Sequence, residues 1–246
     1  MAHLSHALPP ASSTPAVKRV GRTGRGERRY RAAVTIRAVI FDLGGVVFPS
    51  PLPGFRSYEA QMGLREGFIS EAAMAAGGDL WPRFETSQLS PEEFSVLFEA
   101  ACAQLGGEIV VADLLDEVYR VVGEPRAEMV AALEALRGHG FLTGALTNSW
   151  MKHGEPAGRR FPNPAERLPH LFDAIVESAV VGLRKPDPRI YALVLEQLDV
   201  DPGETVFLDD FGKNIIAAQE LGMNTVKVED SHSAIAELAE LLAVSL

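Results

Sequence analysis

Five short strand-like segments separated by stretches of helical periodicity, the first of them an unbroken apolar run, limit the folds open to this 246-residue chain. The first, Ala38-Val39-Ile40-Phe41, ends in Asp42 and is followed by Gly44 and Gly45. Phe141 to Leu146 runs into Thr147 and Asn148, and Ala174 to Val176 is a third run. Val206 to Leu208 leads into Asp209 and Asp210, and Thr225 to Val228 is the fifth. The unbroken apolar run at Ala38 to Phe41, rather than an alternating one, is the pattern of a strand buried on both faces. Helices are expected at about Pro125 to Arg137, with Met129, Val130, Leu133 and Leu136 on one stripe and Gly138 as the stop, and at Ile190 to Leu198, Asn214 to Leu221 and Ala234 to Leu242. Strands alternating with helices of this length pair in parallel.

The expected fold class is therefore α/β, a Rossmann-like parallel sheet with helices on both faces. The stretch 51–130, between the first and second strands, is too long for a crossover and is expected to form an inserted helical cap. Within it, Ser90-Pro91-Glu92-Glu93 places a capping hydroxyl, a proline at the first helical position and an acid three residues on, before the apolar face of Phe94, Leu97 and Phe98. Residues 38–50 and 131–246 would make the core. Residues 1–37 carry eight Lys or Arg against the single acid Glu27, so +7 of a chain with net charge −10 sits there and −17 remains on the body. That leader lacks apolar periodicity and is expected to be a disordered basic segment.

Composition removes several classes of function. No run approaches 18 apolar residues, so no membrane span is expected, and no apolar stretch follows the leader's charges as a secretory signal requires. The single Cys102 excludes a disulfide framework and a zinc site built on several thiolates. An acidic body with only 7% aromatics gives no nucleic-acid footprint. The expectation is a cytoplasmic monomer or homodimer that binds neither nucleic acid nor membrane.

In an open parallel sheet, ligands gather beyond the carboxyl ends of the strands. The polar residues delivered there are Asp42, Thr147, Asn148, Asp209 and Asp210, and Lys185-Pro186-Asp187-Pro188 follows the third strand and opens a helix. Three neighbouring carboxylates repel one another unless a cation neutralises them, and hard oxygen donors suit Mg2+. The cation and Lys185 would balance the charge of a phosphoryl group, with the Thr147 hydroxyl and backbone N–H groups hydrogen-bonding to it. Asp42 is then placed to attack phosphorus, giving an aspartyl-phosphate that water cleaves. Each piece has a plainer reading on its own: an Asp after a strand is a turn residue, Lys-Pro-Asp-Pro starts a helix, and Asp209-Asp210 caps the helix that follows. Their occurrence together, in this order, favours the chemistry.

These segments resemble the motifs of the haloacid dehalogenase superfamily of phosphohydrolases, in the branch with a helical cap between the first and second motifs. Phe41-Asp42-Leu43-Gly44-Gly45-Val46 is similar to motif one, Leu146-Thr147-Asn148 to motif two, Lys185-Pro186-Asp187 to motif three and Phe207-Leu208-Asp209-Asp210 to motif four, over residues 38 to about 244. The likeness extends to the phosphatase-like N-terminal domain of soluble epoxide hydrolases and of some acyl-CoA dehydrogenase relatives. It implies Asp42 as nucleophile and metal ligand, Asp210 as a second ligand and the Gly44 backbone carbonyl as a third. Thr147, Asn148 and Lys185 would hold the phosphoryl group of a small phosphorylated substrate, with Asp209 and Asn214 in support.

One departure from the family pattern bears on chemistry. Most phosphatases of the superfamily carry Asp two residues after the nucleophile, as general acid and base, and this chain has Gly44. Loss of such a group lowers rate by about 10²–10⁴-fold. Aryl and acyl phosphates, which have good leaving groups, are then expected to turn over faster than alkyl phosphates. Two alternatives follow: a non-catalytic domain that binds a phosphorylated ligand, and a 2-haloacid dehalogenase-type hydrolase, against which the Asp209-Asp210 pair argues. In the cap, Trp81, Arg83 and Arg56 are candidates to face the substrate. Lys152, His153, Arg159, Arg160 and Arg167 follow motif two and are candidates to draw anions in. Cys102 is expected to pack in a helix, and His139 and His170 to lie in surface turns.

Overall fold

The computed structural model describes residues 35–150 and 164–246. The basic leader up to residue 34, and Lys152, His153, Arg159 and Arg160, lie outside the described residues. Five parallel strands form one sheet in the order β3-β2-β1-β4-β5: β1 Ala38–Phe41, β2 Leu142–Thr147, β3 Ala174–Glu177, β4 Thr205–Asp209 and β5 Asn224–Lys227. Ala38 lies opposite Leu142 on one side and Thr205 on the other. Pairing already begins at Arg37, which the sequence reading left in the leader. Its N–H donates to the Glu204 carbonyl at 2.8 Å, its carbonyl accepts from Leu142 at 2.9 Å, and its guanidinium pairs with Glu204 at 3.1 Å.

Alternation within β1 explains why its run is wholly apolar. Val39 and Phe41 face one side of the sheet, in a core with Met129, Leu133 and Leu136 of α6 (Ala127–Gly138) and Ala234 and Leu238 of α11 (Ser231–Leu242). Ala38 and Ile40 face the other, against Ile190, Tyr191 and Val194 of α9 (Pro188–Leu198) and Ile215 and Ala218 of α10 (Gly212–Glu220). With helices on both faces, every β1 side chain leaves water. Helix α6 starts two residues later than expected because Arg126, in an extended conformation, is its N-cap, and its N–H donates to Val47 at 2.9 Å.

Between β1 and α6 the chain forms α1 (Leu52–Gln61), α2 (Phe68–Ala75), α3 (Leu80–Glu85), α4 (Pro91–Gln104) and α5 (Val111–Val122). The cap of α4 forms as its sequence requires: Glu93 N–H donates to Ser90 Oγ, and Ser90 N–H to the Glu93 carboxylate. Val111, Leu114, Val118 and Val122 bury one stripe of α5. Helix α1 lies so close to that stripe that a Cβ on Gly54 would come within 2.6 Å of the Val118 Cα. Glu59 of α1 ties down α2, accepting from the N–H groups of Gly67 and Ile69 at 2.9 and 2.8 Å. Trp81 of α3 packs edge-on or tilted against Phe55, Phe84, Phe94, Phe98 and Trp150, the last of these from beyond β2. Together with the sheet and its helices they form one compact unit of the described residues.

Candidate active site

Parallel pairing with Phe41 opposite Leu208 brings the residues after β1 and at the end of β4 side by side. Asp42 N–H donates to the Leu208 carbonyl at 2.8 Å, and one Asp42 oxygen accepts from Leu43 N–H at 2.7 Å. Lys185 Nζ, only 1% exposed, lies 2.9 Å from Asp42 Oδ2 and 2.7 Å from Asp209 Oδ2. Burial alone would lower the pKa of this lysine, but the two carboxylates outweigh it and hold it above its ordinary value. Asp209 is fully buried, and its oxygens also receive Phe211 N–H at 2.8 Å and the Asn214 amide at 2.9 and 3.1 Å. It anchors Lys185.

Asp210 is placed differently. Its Oδ1 is buried with no hydrogen-bond partner, and burial together with the charge of Asp209 pushes its pKa up to about 6. Burial, reinforced by Asp209 and Asp210, also raises Asp42, with Lys185 opposing. One oxygen from each of Asp42, Asp209 and Asp210 lies within 4.8 Å of the others. Gly45, at φ +84°, presses its Cα against the Asp210 carboxylate where any Cβ would collide. An unpartnered buried oxygen among crowded hard donors is a setting that a divalent cation fits.

The remaining residues sort by geometry. Thr147, at the end of β2, lines a cavity of about 370 Å³ together with Asp42, Gly44 and Lys185. Asn148 also lines it, and its amide pairs with one residue: Lys185 N–H donates to its Oδ1 at 2.8 Å and its Nδ2 donates to the Lys185 carbonyl at 3.1 Å. This pairing places Lys185 and leaves the second Nδ2 hydrogen for another acceptor. Asn214 holds Asp209 and keeps one buried amide oxygen unpaired.

Of the candidates in the inserted helices, Trp81 lines the cavity, whereas Arg56 and Arg83 form exposed pairs with Glu66 at 3.7 Å and Asp79 at 4.0 Å. Arg167 is used up in packing, over the Phe48 ring and on the carbonyl of Gly123 and the carboxylate of Glu124. Glu85, Arg184 and Lys213 are charged lining residues that the sequence reading did not single out, and Trp150 lines the cavity beside them. Arg184 Nε donates to Glu85 Oε2 at 2.6 Å, joining α3 to the loop that carries Lys185. Burial pushes the Glu85 carboxyl above the usual range, and Arg184, Lys213 and Lys185 offset this only in part. No spacing marks a residue that meets a partner 99 positions away. The one available signal was the adjacency of Arg184 to Lys185.

Residues 36–222 match the family model of the haloacid dehalogenase-like hydrolases. The chain belongs to that family. It is 35% identical to mouse acyl-CoA dehydrogenase family member 10 over 91% of its own length and 20% of that protein. With pig bifunctional epoxide hydrolase 2 the figures are 33%, 87% and 40%, so the chain spans well under half of these relatives. Sesquiterpene phosphatase astK of Aspergillus oryzae is 30% identical over 85% of this chain and 97% of the relative. Among solved structures, a family enzyme from Bacteroides thetaiotaomicron superposes with a TM-score of 0.58 at 21% identity, covering 81% of this chain and 98% of that one.

Proposed function

We propose that this hydrolase is a Mg2+-dependent phosphatase that cleaves a phosphate monoester of an apolar organic group through an aspartyl-phosphate on Asp42. The observation that carries the reading is Lys185, a buried ammonium between Asp42 and Asp209, beside an Asp210 whose inner oxygen lacks a partner. A phosphoryl group entering there meets one cation already built into the fold. Asp42, Asp210 and the Gly44 carbonyl would hold Mg2+, which supplies the remaining positive charge when bound. Thr147 would hydrogen-bond the phosphoryl oxygens, and Lys185 would offset their charge. Asn148, Asp209 and Asn214 keep Lys185 and the acids in place.

The helices α1–α5 serve as the cap that selects the organic group. Their side of the cavity presents Phe55, Ile69, Ala73, Met74 and Trp81, a surface suited to hydrocarbon, and a relative of matching length is named as a sesquiterpene phosphatase. A panel of phosphorylated compounds, assayed for phosphate release with Mg2+ and with EDTA beside Asp42→Asn, tests this. Release from apolar esters that requires Mg2+ and vanishes in the variant is expected. Metal-independent dehalogenation, or binding without turnover across the panel, would overturn it.

A further inference from the structure

We propose that Glu85 is the proton-transfer residue of this site, taking the part that Gly44 cannot play. The assignment rests on the phosphatase reading above. Among the described residues that line the cavity, Asp42 and Glu85 are the only carboxylates. They arrive from different parts of the fold, Asp42 after β1 and Glu85 at the end of α3. In an in-line displacement the leaving oxygen departs away from the attacking one. A proton donor for it must therefore stand on a wall other than the one that bears Asp42.

The surroundings of Glu85 suit a donor. Arg184 Nε holds Oε2 at 2.6 Å, and no described residue hydrogen-bonds to Oε1. A neutral carboxyl can keep the Arg184 contact at Oε2 while it carries its proton on Oε1. The same cavity is lined by Phe55, Met74 and Trp81, and an apolar setting favours the protonated form of an acid. The raised pKa of Glu85 agrees with this. At Gly44, by contrast, the space is open, since a Cβ there would meet only Pro51 Cδ, at 3.7 Å.

The balance is as follows. A bond forms between Asp42 and phosphorus as the phosphorus–oxygen bond to the leaving group breaks, and the Glu85 proton passes to that oxygen to give the alcohol. Glu85, now a carboxylate, takes a proton from the water whose oxygen attacks phosphorus. The Asp42–phosphorus bond then breaks, which releases phosphate and restores both acids.

The test compares an alkyl phosphate with p-nitrophenyl phosphate, both with Mg2+, in wild type, Glu85→Gln and the double variant Gly44→Asp/Glu85→Gln. Glu85→Gln keeps an acceptor for Arg184. It is expected to lower kcat/KM on the alkyl ester by about 10²-fold or more, and on the aryl ester by less than about tenfold, because p-nitrophenolate leaves without a proton. The double variant should recover alkyl turnover. If Glu85→Gln melts below the assay temperature, Glu85→Asp, which withdraws the carboxyl by one methylene, should show the same selective loss. An equal loss on both esters would make Glu85 a docking residue for Arg184 and overturn the proposal, as would undiminished alkyl turnover. Wild type that hydrolyses neither ester would bring down the phosphatase reading itself, and the role of Glu85 with it.

Discussion

Lys185 and Gly45 show how much of the site depends on single atoms. A lysine that is 1% exposed stays charged because two carboxylates lie within 2.9 Å of its Nζ. Replacing it by Met leaves Asp209 buried without a cation. Removal of one partner from a buried pair destabilises by about 3–5 kcal/mol, and urea denaturation of Lys185→Met should show a loss of that order together with loss of phosphate release. Gly45 acts through shape rather than charge. Its φ of +84° favours glycine, and the Asp210 carboxylate occupies the place a Cβ would take. Gly45→Ala should displace Asp210, so the expected result is a folded protein whose melting temperature no longer rises with Mg2+. The meeting of Asp42 and Asp210 at one rim was legible from sequence because strand ends in a parallel sheet announce where polar groups collect, and Lys185 was marked by its own Lys-Pro-Asp-Pro segment. Glu85 was not, because its meaning comes from a contact with a loop 99 residues away.

At the scale of elements, the inserted helices are held together by polar ties as well as by aromatic packing. Glu117 of α5 receives the Ser57 hydroxyl of α1 and two nitrogens of Arg120, at 2.6 and 2.7 Å. The Arg120 and Ser57 hydrogen bonds hold its pKa down at about 2, from an ordinary 4.5. A carboxylate with a depressed folded pKa gives its full stabilisation above the unfolded value and loses it as pH falls through the folded one. Glu117→Gln should therefore melt below wild type at pH 7, by about 1 kcal/mol for the weakened hydrogen bonds. The gap should close progressively as pH drops from 4.5 toward 2, and melting curves across that range check it. The capping box of α4 was readable from four consecutive residues because a cap is local chemistry. The junction of α3 with the core, where Ser87 Oγ donates to the Ala179 carbonyl at 2.7 Å, was not, because neither residue belongs to a periodic pattern.

Across the whole molecule, burial and mutual repulsion raise the pKa of Asp42 and Asp210 at one rim of the sheet, a cost that the proposed Mg2+ would relieve on binding the folded state. A ligand that binds only the native form stabilises it by about 2.7 kcal/mol at a hundred times its dissociation constant. Mg2+ should accordingly raise the melting temperature of wild type, and Asp210→Asn, which removes the carboxylate with the unpartnered oxygen, should abolish most of that rise. Calorimetry with and without the ion decides this independently of any substrate. The chain's own order of residues was enough to determine a parallel sheet and a polar rim, since apolar runs must be buried on both faces and their polar ends must then emerge together. Tertiary structure alone decided which rim residues hold one another and which remain available. Asn148 and Asp209 both hold Lys185 in place, whereas Asp210 and Glu85 each keep an oxygen to which no described residue hydrogen-bonds. Hydrogen-bond capacity is spent on neighbours in space, and a linear sequence does not state which neighbours those are.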